Sequence, residues 1–151
     1  SQVILYMPPL GKDMSRKLKI DTGGVKFGPY SPGITVENHI WLSGQVDVES
    51  GDDIESQTIG TLAKIDDLLA ASNSSREDLV KVTILMTDIN DYSTVNEIYG
   101  GWLGDSMPPA RAAYQVCKLP LGARIEIICE AFRNSGDYRT DLPPELEEAL
   151  V

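Results

Sequence analysis

The sequence contains only two cysteines and one histidine in 151 residues. Two cysteines are too few for a disulfide framework, and the separation of Cys117 and Cys129 matches no metal-ligand spacing. We expect both to be reduced, partly buried thiols. A zinc site or a Ser-His-Asp triad would have to use His39, which begins a predicted strand, where a solvated or packing role is favoured. We therefore predict neither a disulfide scaffold nor a metal site.

Long apolar runs and an excess of basic residues are also absent. No run approaches the roughly 20 apolar residues needed to cross a bilayer. Near the start, the basic residues follow the short apolar patch, which reverses the order of a signal peptide. The 13 basic and 23 acidic residues give a net charge of −10, which repels a phosphate backbone. We expect a cytoplasmic protein without a nucleic-acid or membrane partner.

The length and the 42% hydrophobic content are typical of a single domain that buries an ordinary core. Composition changes at both ends of the chain. Residues 1–16 mix proline, glycine, methionine and charge, and residues 133–151 read RNSGDYRTDLPPELEEALV. We predict a domain over residues 17–132, an N-terminal extension over 1–16 and a C-terminal tail over 133–151.

Hydrophobic periodicity divides the predicted domain into strands and helices. The predicted elements are a hairpin over 33–48 that turns at Glu37-Asn38, a helix over 54–71, a strand over 79–87 buried on both faces, a helix over 92–102, and a final hairpin over 111–132. This order, ββαβαββ, predicts an α+β two-layer sandwich with a mixed sheet and both helices on one face. No helix is left for the other sheet face, so water or another subunit must cover it, which indicates an oligomer.

Each predicted helix has an apolar stripe that should face the sheet. In the first helix the stripe comprises Ile59, Leu62, Ile65, Leu68 and Leu69. In the second it comprises Tyr92, Val95, Tyr99 and Trp102.

Two charged residues in the final strands are candidates for chemistry. Arg111 follows the sequence PPA at a strand entry, either as a plain surface charge or as a rigid fork for a carboxylate. Glu126 is flanked by isoleucines, so its carboxylate must reach solvent or find a partner. Alternation places Arg111 and Ala113 on one face of their strand but leaves open whether Arg111 and Glu126 lie close together.

Four segments resemble the Rid (reactive intermediate deaminase, YjgF) family in order and spacing: GPYSPG, WLSGQVDV, DLVKVTILMTDINDYSTVNEIYGGWL and PPARAAYQVCKLPLGARIEI. The last is the most diagnostic, because PAR is followed at the family spacing by LP and then by IEI. The resemblance covers about residues 17–132. It implies a chorismate-mutase-like fold and a homotrimer in which three sheets form a central barrel.

The resemblance also implies an enzyme, a hydrolase that deaminates reactive enamines and 2-imino acids such as 2-iminopropanoate and 2-iminobutanoate, without a cofactor. In the family, clefts between subunits bind the small carboxylate substrate, and the arginine of PAR, here Arg111, grips its carboxylate. We predict that Glu126 assists the attack of water, directly or through a bound water. The other matching positions, predicted to bind substrate, are Tyr30, Ser43 and Asn96.

Ala113 stands where many family deaminases have a cysteine, two residues after the arginine, so thiol chemistry is not implied. The peptide groups beside Ala113 can still position substrate nitrogen or water. The alternative to an enzyme is a non-catalytic trimer that binds small carboxylates, or a holdase-like interaction protein. Ribonuclease activity, ascribed to some members of the family, is disfavoured by the acidic charge.

Overall fold

The structure, a computed structural model, describes residues 16–136. Its elements, in chain order, are strands β1 (Lys17–Ile20), β2 (Gly33–Val36) and β3 (His39–Leu42), helix α1 (Ile54–Ala71), strand β4 (Leu79–Met86), helix α2 (Tyr92–Leu103), and strands β5 (Ala110–Gln115) and β6 (Ile125–Phe132). The six strands form one sheet in the order β1-β2-β3-β6-β4-β5. All neighbours are antiparallel except β4 and β5, which are parallel. The predicted α+β class with a mixed sheet is confirmed.

The prediction missed β1, so the observed order is βββαβαββ rather than ββαβαββ. The four-residue strand KLKI lies at the sheet edge and pairs only with β2. Its lysines alternate with Leu18 and Ile20, and Ile20 is buried. Such a short, half-charged segment carries too few apolar positions to indicate a strand.

The predicted final hairpin is wrong, because β4 lies between β5 and β6. Strand β5 ends at Gln115, and the connection over 116–124 crosses the end of β4 instead of turning tightly. Its two ends are tied there: the Val116 N–H donates to the Met86 carbonyl at 2.8 Å, and the Thr87 N–H donates to the Arg124 carbonyl at 3.1 Å. The turn residues at Pro120–Gly122 form a single 3-10 turn within this crossing.

The core lies between the sheet and the two helices. On β4 and β6, alternate side chains face this layer and are almost fully buried: Val82, Ile84, Met86, Ile125, Ile127, Cys129 and Ala131. Helix α1 begins after Asp53, whose carboxylate accepts from the Ser56 N–H at 2.8 Å. The predicted stripe of α1 is wrong at Ile59, which is 59% exposed, whereas Thr58 and Thr61 are buried.

The opposite face of the sheet is not covered by any element within residues 16–136. Strand β4 is therefore buried on one face only, not on both as predicted, since Thr83 and Leu85 are half-buried and Lys81 is exposed. This open face has an apolar centre, formed by Ile34, Val36, Trp41, Leu85, Tyr114, Ile128 and Phe132. His39 packs on it, with its ring stacked on Trp41 at 3.7 Å between centroids.

The predicted extension and most of the predicted tail lie outside the described residues, so the domain boundaries stay a prediction. Residues 133–136 pack back on the domain. The Arg133 guanidinium donates to the Ser72 and Glu37 carbonyls at 2.9 Å each, and the Gly136 N–H donates to the Asp78 carboxylate at 2.9 Å. Within the range 16–136, no helix is long and apolar enough to cross a membrane.

Candidate active site

Arg111 is the second residue of β5 and lies on the helix side of the sheet, opposite Val82 in register. There its guanidinium meets helix α2. One terminal nitrogen, Nη1, donates to Asn96 Oδ1 at 2.7 Å, and the other, Nη2, donates to the Tyr92 hydroxyl at 3.0 Å. The centre of the guanidinium also lies 5.2 Å from the Tyr99 ring centroid, at cation–π distance. Arg111 is therefore fixed by hydrogen bonds and an aromatic face, as a binding fork requires.

Arg111 is half-buried and forms no ion pair with a carboxylate of residues 16–136. Its contacts with Asn96 and Tyr92 are with neutral oxygens, so its positive charge is not compensated locally. A partly buried cation without a counterion attracts an anion. The spare N–H donors of the guanidinium match a carboxylate. We call Arg111, Asn96 and Tyr92 the carboxylate half-site.

The aromatic neighbour Tyr99 is a core residue. Burial raises the pKa of its phenol to about 12, and its hydroxyl has no hydrogen-bond partner among the described residues. Ala113 faces the same side of β5 as Arg111 and packs, half-buried, at the margin of the core. Its methyl group takes up little space beside Arg111.

Glu126 lies on β6, on the open face of the sheet, opposite Leu85 in register. Its carboxyl group lies against the backbone of Gly44, where an added Cβ would be only 2.7 Å from the Glu126 carboxyl carbon. The glycine is therefore needed for this close approach. The next residue, Gln45, pairs with β6. Its N–H donates to the Ile127 carbonyl at 2.9 Å, and the Ile127 N–H donates to the Gln45 carbonyl at 3.0 Å. The sequence prediction had extended the strand of β3 through this segment, but β3 ends at Leu42.

Burial raises the pKa of the Glu126 carboxyl above its usual range. No hydrogen bond or ion pair engages this side chain within the described residues. A half-buried, unpaired carboxyl group with a raised pKa is suited to exchanging a proton with a bound water or substrate.

Ser43 lies between the end of β3 and Gly44 in the chain. The Ser43 hydroxyl donates to the Ser31 carbonyl at 2.6 Å, and the Ser43 N–H donates to the Pro32 carbonyl at 2.9 Å. These bonds fasten the loop that carries Tyr30, whose side chain is 46% exposed. We call Glu126, Gly44, Ser43 and Tyr30 the carboxyl half-site.

The two half-sites do not meet within one chain. Strand β4 separates β5 from β6, which places the strands about 10 Å apart, and the two register positions differ by three residues, or about 10 Å along the strand. Because Val82 and Leu85 point to opposite faces, Arg111 and Glu126 also lie on opposite faces of the sheet. One small substrate cannot touch both side chains of the same chain.

The residues predicted from the sequence thus fall into two groups, Arg111 with Asn96 and Ala113, and Glu126 with Ser43 and Tyr30. Tyr92 was not predicted to belong to the site, because the sequence pattern assigned it to the apolar stripe of the second helix. The available signal was its spacing from Asn96, because positions four apart lie on the same side of a helix. Among residues 16–136, no group of three or more His, Cys, Asp or Glu side chains lies close enough to hold a metal ion.

Comparison with known proteins places the chain in a family. The model of the endoribonuclease L-PSP family matches residues 25–132. The mouse and human proteins named 2-iminobutanoate/2-iminopropanoate deaminase are each 42% identical to the chain, over 118 and 120 residues. These alignments cover 74% and 76% of this chain and 85% of each relative. The chain belongs to the Rid (YjgF) family.

Solved structures agree with this membership. The E. coli YjgF gene product has a TM-score of 0.73 and 31% identity, over 77% of this chain and 98% of that one. A Rid-family protein of unknown function, YyfA from Yersinia pestis, has a TM-score of 0.72 and 36% identity, over 77% of this chain and 98% of that one. The chorismate-mutase-like fold expected for a Rid protein is therefore confirmed.

Proposed function

We propose that this Rid-family chain is an enzyme that hydrolyses 2-imino acids, such as 2-iminobutanoate and 2-iminopropanoate, to 2-keto acids and ammonia. The names of the mouse and human relatives support this reaction. The observation that carries it in the structure is the carboxylate half-site, where Arg111 is held by α2 and has no counterion among residues 16–136.

In the proposed reaction, Arg111 binds the carboxylate of the imino acid through two parallel N–H donors. As water adds to the imine carbon, Glu126 accepts a proton from it, directly or through another water, and passes a proton to the imine nitrogen, which gives a carbinolamine. Glu126 then accepts the hydroxyl proton of the carbinolamine and returns a proton to the departing nitrogen as the C–N bond breaks, which releases ammonia and leaves the ketone. The sum is one imine and one water converted to one ketone and one ammonia. General acid–base help of this kind contributes about 10²–10⁴-fold in rate.

We further propose that the enzyme is a homotrimer whose clefts combine the carboxylate half-site of one subunit with the carboxyl half-site of a neighbour. Two observations support this assembly. The half-sites of one chain lie on opposite faces of the sheet, and the open face carries an apolar centre that includes Trp41 and Phe132, which are 37% and 46% exposed. Burial of that centre between subunits supplies a hydrophobic driving force.

A non-catalytic carboxylate-binding trimer would use the same Arg111 contacts but would have no use for a half-buried carboxyl group at Glu126. We therefore favour the enzyme. That the protein acts in the cytoplasm, without a nucleic-acid or membrane partner, stays a prediction. The net charge of −10 supports the lack of a nucleic-acid partner.

The reaction is tested by supplying unstable substrate. A pyridoxal-phosphate-dependent dehydratase acting on serine or threonine releases 2-aminoacrylate or 2-aminocrotonate, which tautomerise to the imino acids. We expect this protein to accelerate the release of 2-keto acid and ammonia above the spontaneous rate. Equal rates with and without the protein would refute the enzyme and favour the binding protein.

The assembly is tested by light scattering at micromolar concentration. We expect three times the chain mass of 16.5 kDa. A monomer would refute the shared cleft, because neither half-site has a partner in a single chain.

A further inference from the structure

Helix α2 presents two oxygen atoms to Arg111, from Asn96, which was predicted from the sequence to bind substrate, and from Tyr92, which was not. Asn96 Oδ1 accepts from Nη1 at 2.7 Å, and the Tyr92 hydroxyl accepts from Nη2 at 3.0 Å. Because the contacts involve different nitrogens, they fix the guanidinium at two points. A single contact would leave the fork free to turn about the bond that it shares with Asn96.

The Tyr92 hydroxyl differs from the other oxygen in a way that matters to a bound anion. The Asn96 carbonyl oxygen can only accept, whereas a phenol that accepts from Arg111 keeps its own hydrogen to donate. Tyr92 is 40% exposed, so this hydrogen is accessible to a ligand. The guanidinium retains further N–H donors beside it.

We propose that Tyr92 is a positioning and specificity-determining residue of the carboxylate half-site. Its hydroxyl sets the plane of the Arg111 guanidinium and donates its own hydrogen to the carboxylate that Arg111 binds. The inference rests on the function proposed for this half-site, and it concerns the hydroxyl alone. The aromatic surroundings of Arg111 do not depend on it, because the Tyr99 ring lies at a similar distance, 5.2 Å against 5.6 Å for the Tyr92 ring.

This arrangement defines the ligand chemically. Phenol and guanidinium are both donors, so the group between them must accept on both of its oxygens. A carboxylate does so, whereas a primary amide offers one oxygen and an NH₂ group that would face the donors. The half-site should therefore prefer a 2-keto or 2-imino acid strongly over the corresponding amide.

The test is Tyr92→Phe, which removes the hydroxyl and keeps the ring. With 2-oxobutanoate as an unreactive probe, we expect the Kd in isothermal titration to rise about three- to tenfold, as for loss of one or two hydrogen bonds. In the deaminase assay the KM should rise by a similar factor, while kcat stays within about twofold. The matched control is Tyr114→Phe, the same change on the opposite face of β5, which should leave the Kd unchanged.

A double-mutant cycle separates positioning from general damage. Because Tyr92 acts partly by orienting the guanidinium of Arg111, Tyr92→Phe should weaken 2-oxobutanoate binding by a smaller factor when Arg111 is already lysine, and the remaining loss is that of the hydrogen bond that the hydroxyl donates directly. An equal loss in both backgrounds would overturn the inference, and so would an unchanged Kd for Tyr92→Phe alone. Failure of the wild-type protein to bind 2-oxobutanoate at millimolar concentration would also overturn it.

If the wild-type protein binds the keto acid but deaminates nothing, the proposed reaction fails while the role of Tyr92 is still decided by the Kd values.

Discussion

The carboxylate half-site and the carboxyl half-site are built in different ways. Arg111 is held by side chains: the two hydrogen bonds that it donates to α2 and an aromatic ring determine where its guanidinium lies. Glu126 has no such partner among residues 16–136 and is positioned by steric fit, because its carboxyl group lies against a glycine backbone and is partly withdrawn from water. In the carboxylate half-site, the donor groups are held in place before a ligand binds. In the carboxyl half-site, burial raises the pKa of Glu126, but no side chain of residues 16–136 fixes its position by a hydrogen bond.

This difference matches the chemistry proposed for each region. Binding a permanent negative charge benefits from rigid donors, because little freedom is then lost when the ligand arrives. A proton-transfer group must instead change its charge during the reaction, and strong partners would hold it in one state.

Glu126→Gln should lower turnover by about 10²–10⁴-fold, because the amide cannot take up a proton from water. The Kd for 2-oxobutanoate should change little, since the ligand carboxylate is bound at the other half-site. The matched control is Glu130→Gln, the same change on the same face of β6, which should retain nearly full turnover. Unchanged turnover for Glu126→Gln would remove it from the mechanism.

Arg111→Lys should lower kcat/KM by about 10- to 100-fold, because lysine keeps the charge but loses the planar pair of donors. The trimer should persist in light scattering. Arg16→Lys is the control, because the Arg16 side chain is 73% exposed and pairs with the exposed Glu37 carboxylate. If the two lysine substitutions had equal effects, Arg111 would be a plain surface charge and not a binding residue.

Co-expression of the Arg111→Lys and Glu126→Gln chains should restore activity. The Glu126→Gln chain keeps Arg111, and the Arg111→Lys chain keeps Glu126. If each cleft takes Arg111 from one subunit and Glu126 from another, random assembly of equal amounts gives both natural residues in about a quarter of the clefts. The restored rate should therefore approach one quarter of the wild-type rate. No restoration would mean that one subunit supplies both residues, in conflict with their positions on opposite faces of the sheet.

The smallest effect concerns stability and pH. Burial raises the pKa of Glu126 in the folded state, so its contribution to stability is present at acidic pH and is lost as pH rises through that pKa. Glutamine has no charge to bury. Glu126→Gln should therefore have a Tm above that of the wild-type protein at neutral pH, by no more than a few degrees, and the difference should vanish in acid. A constant difference across the range would assign the shift to packing.

The sequence predicted the elements that depend on periodicity. Both helices were found because their apolar residues recur at helical intervals, and the central strand β4 was found because its residues are β-branched or apolar almost throughout. What it could not predict was the order of strands within the sheet. The turn residues near Pro120 indicate a reversal of the chain, but they carry no information on whether another strand lies between the two that they join.

The same limit explains which parts of the site were found. Resemblance named Arg111, Asn96 and Glu126, but the bond between Arg111 and Asn96 depends on how α2 crosses β5, which is a tertiary property. Tyr92 was missed because tyrosine in an apolar pattern is read as core. The role of Gly44 became visible only when the Glu126 carboxyl was seen against it.

Because Cys129 is buried in the core, the reactivity of its thiol reports on opening of the core. Its thiol is 1% exposed between the sheet and the helices, and burial raises its pKa to about 12. A thiol reagent can therefore reach it only when those two layers separate, whereas Cys117 is exposed in the chain. Because the sequence has no third cysteine, the slow phase of alkylation would measure how often the core opens under native conditions.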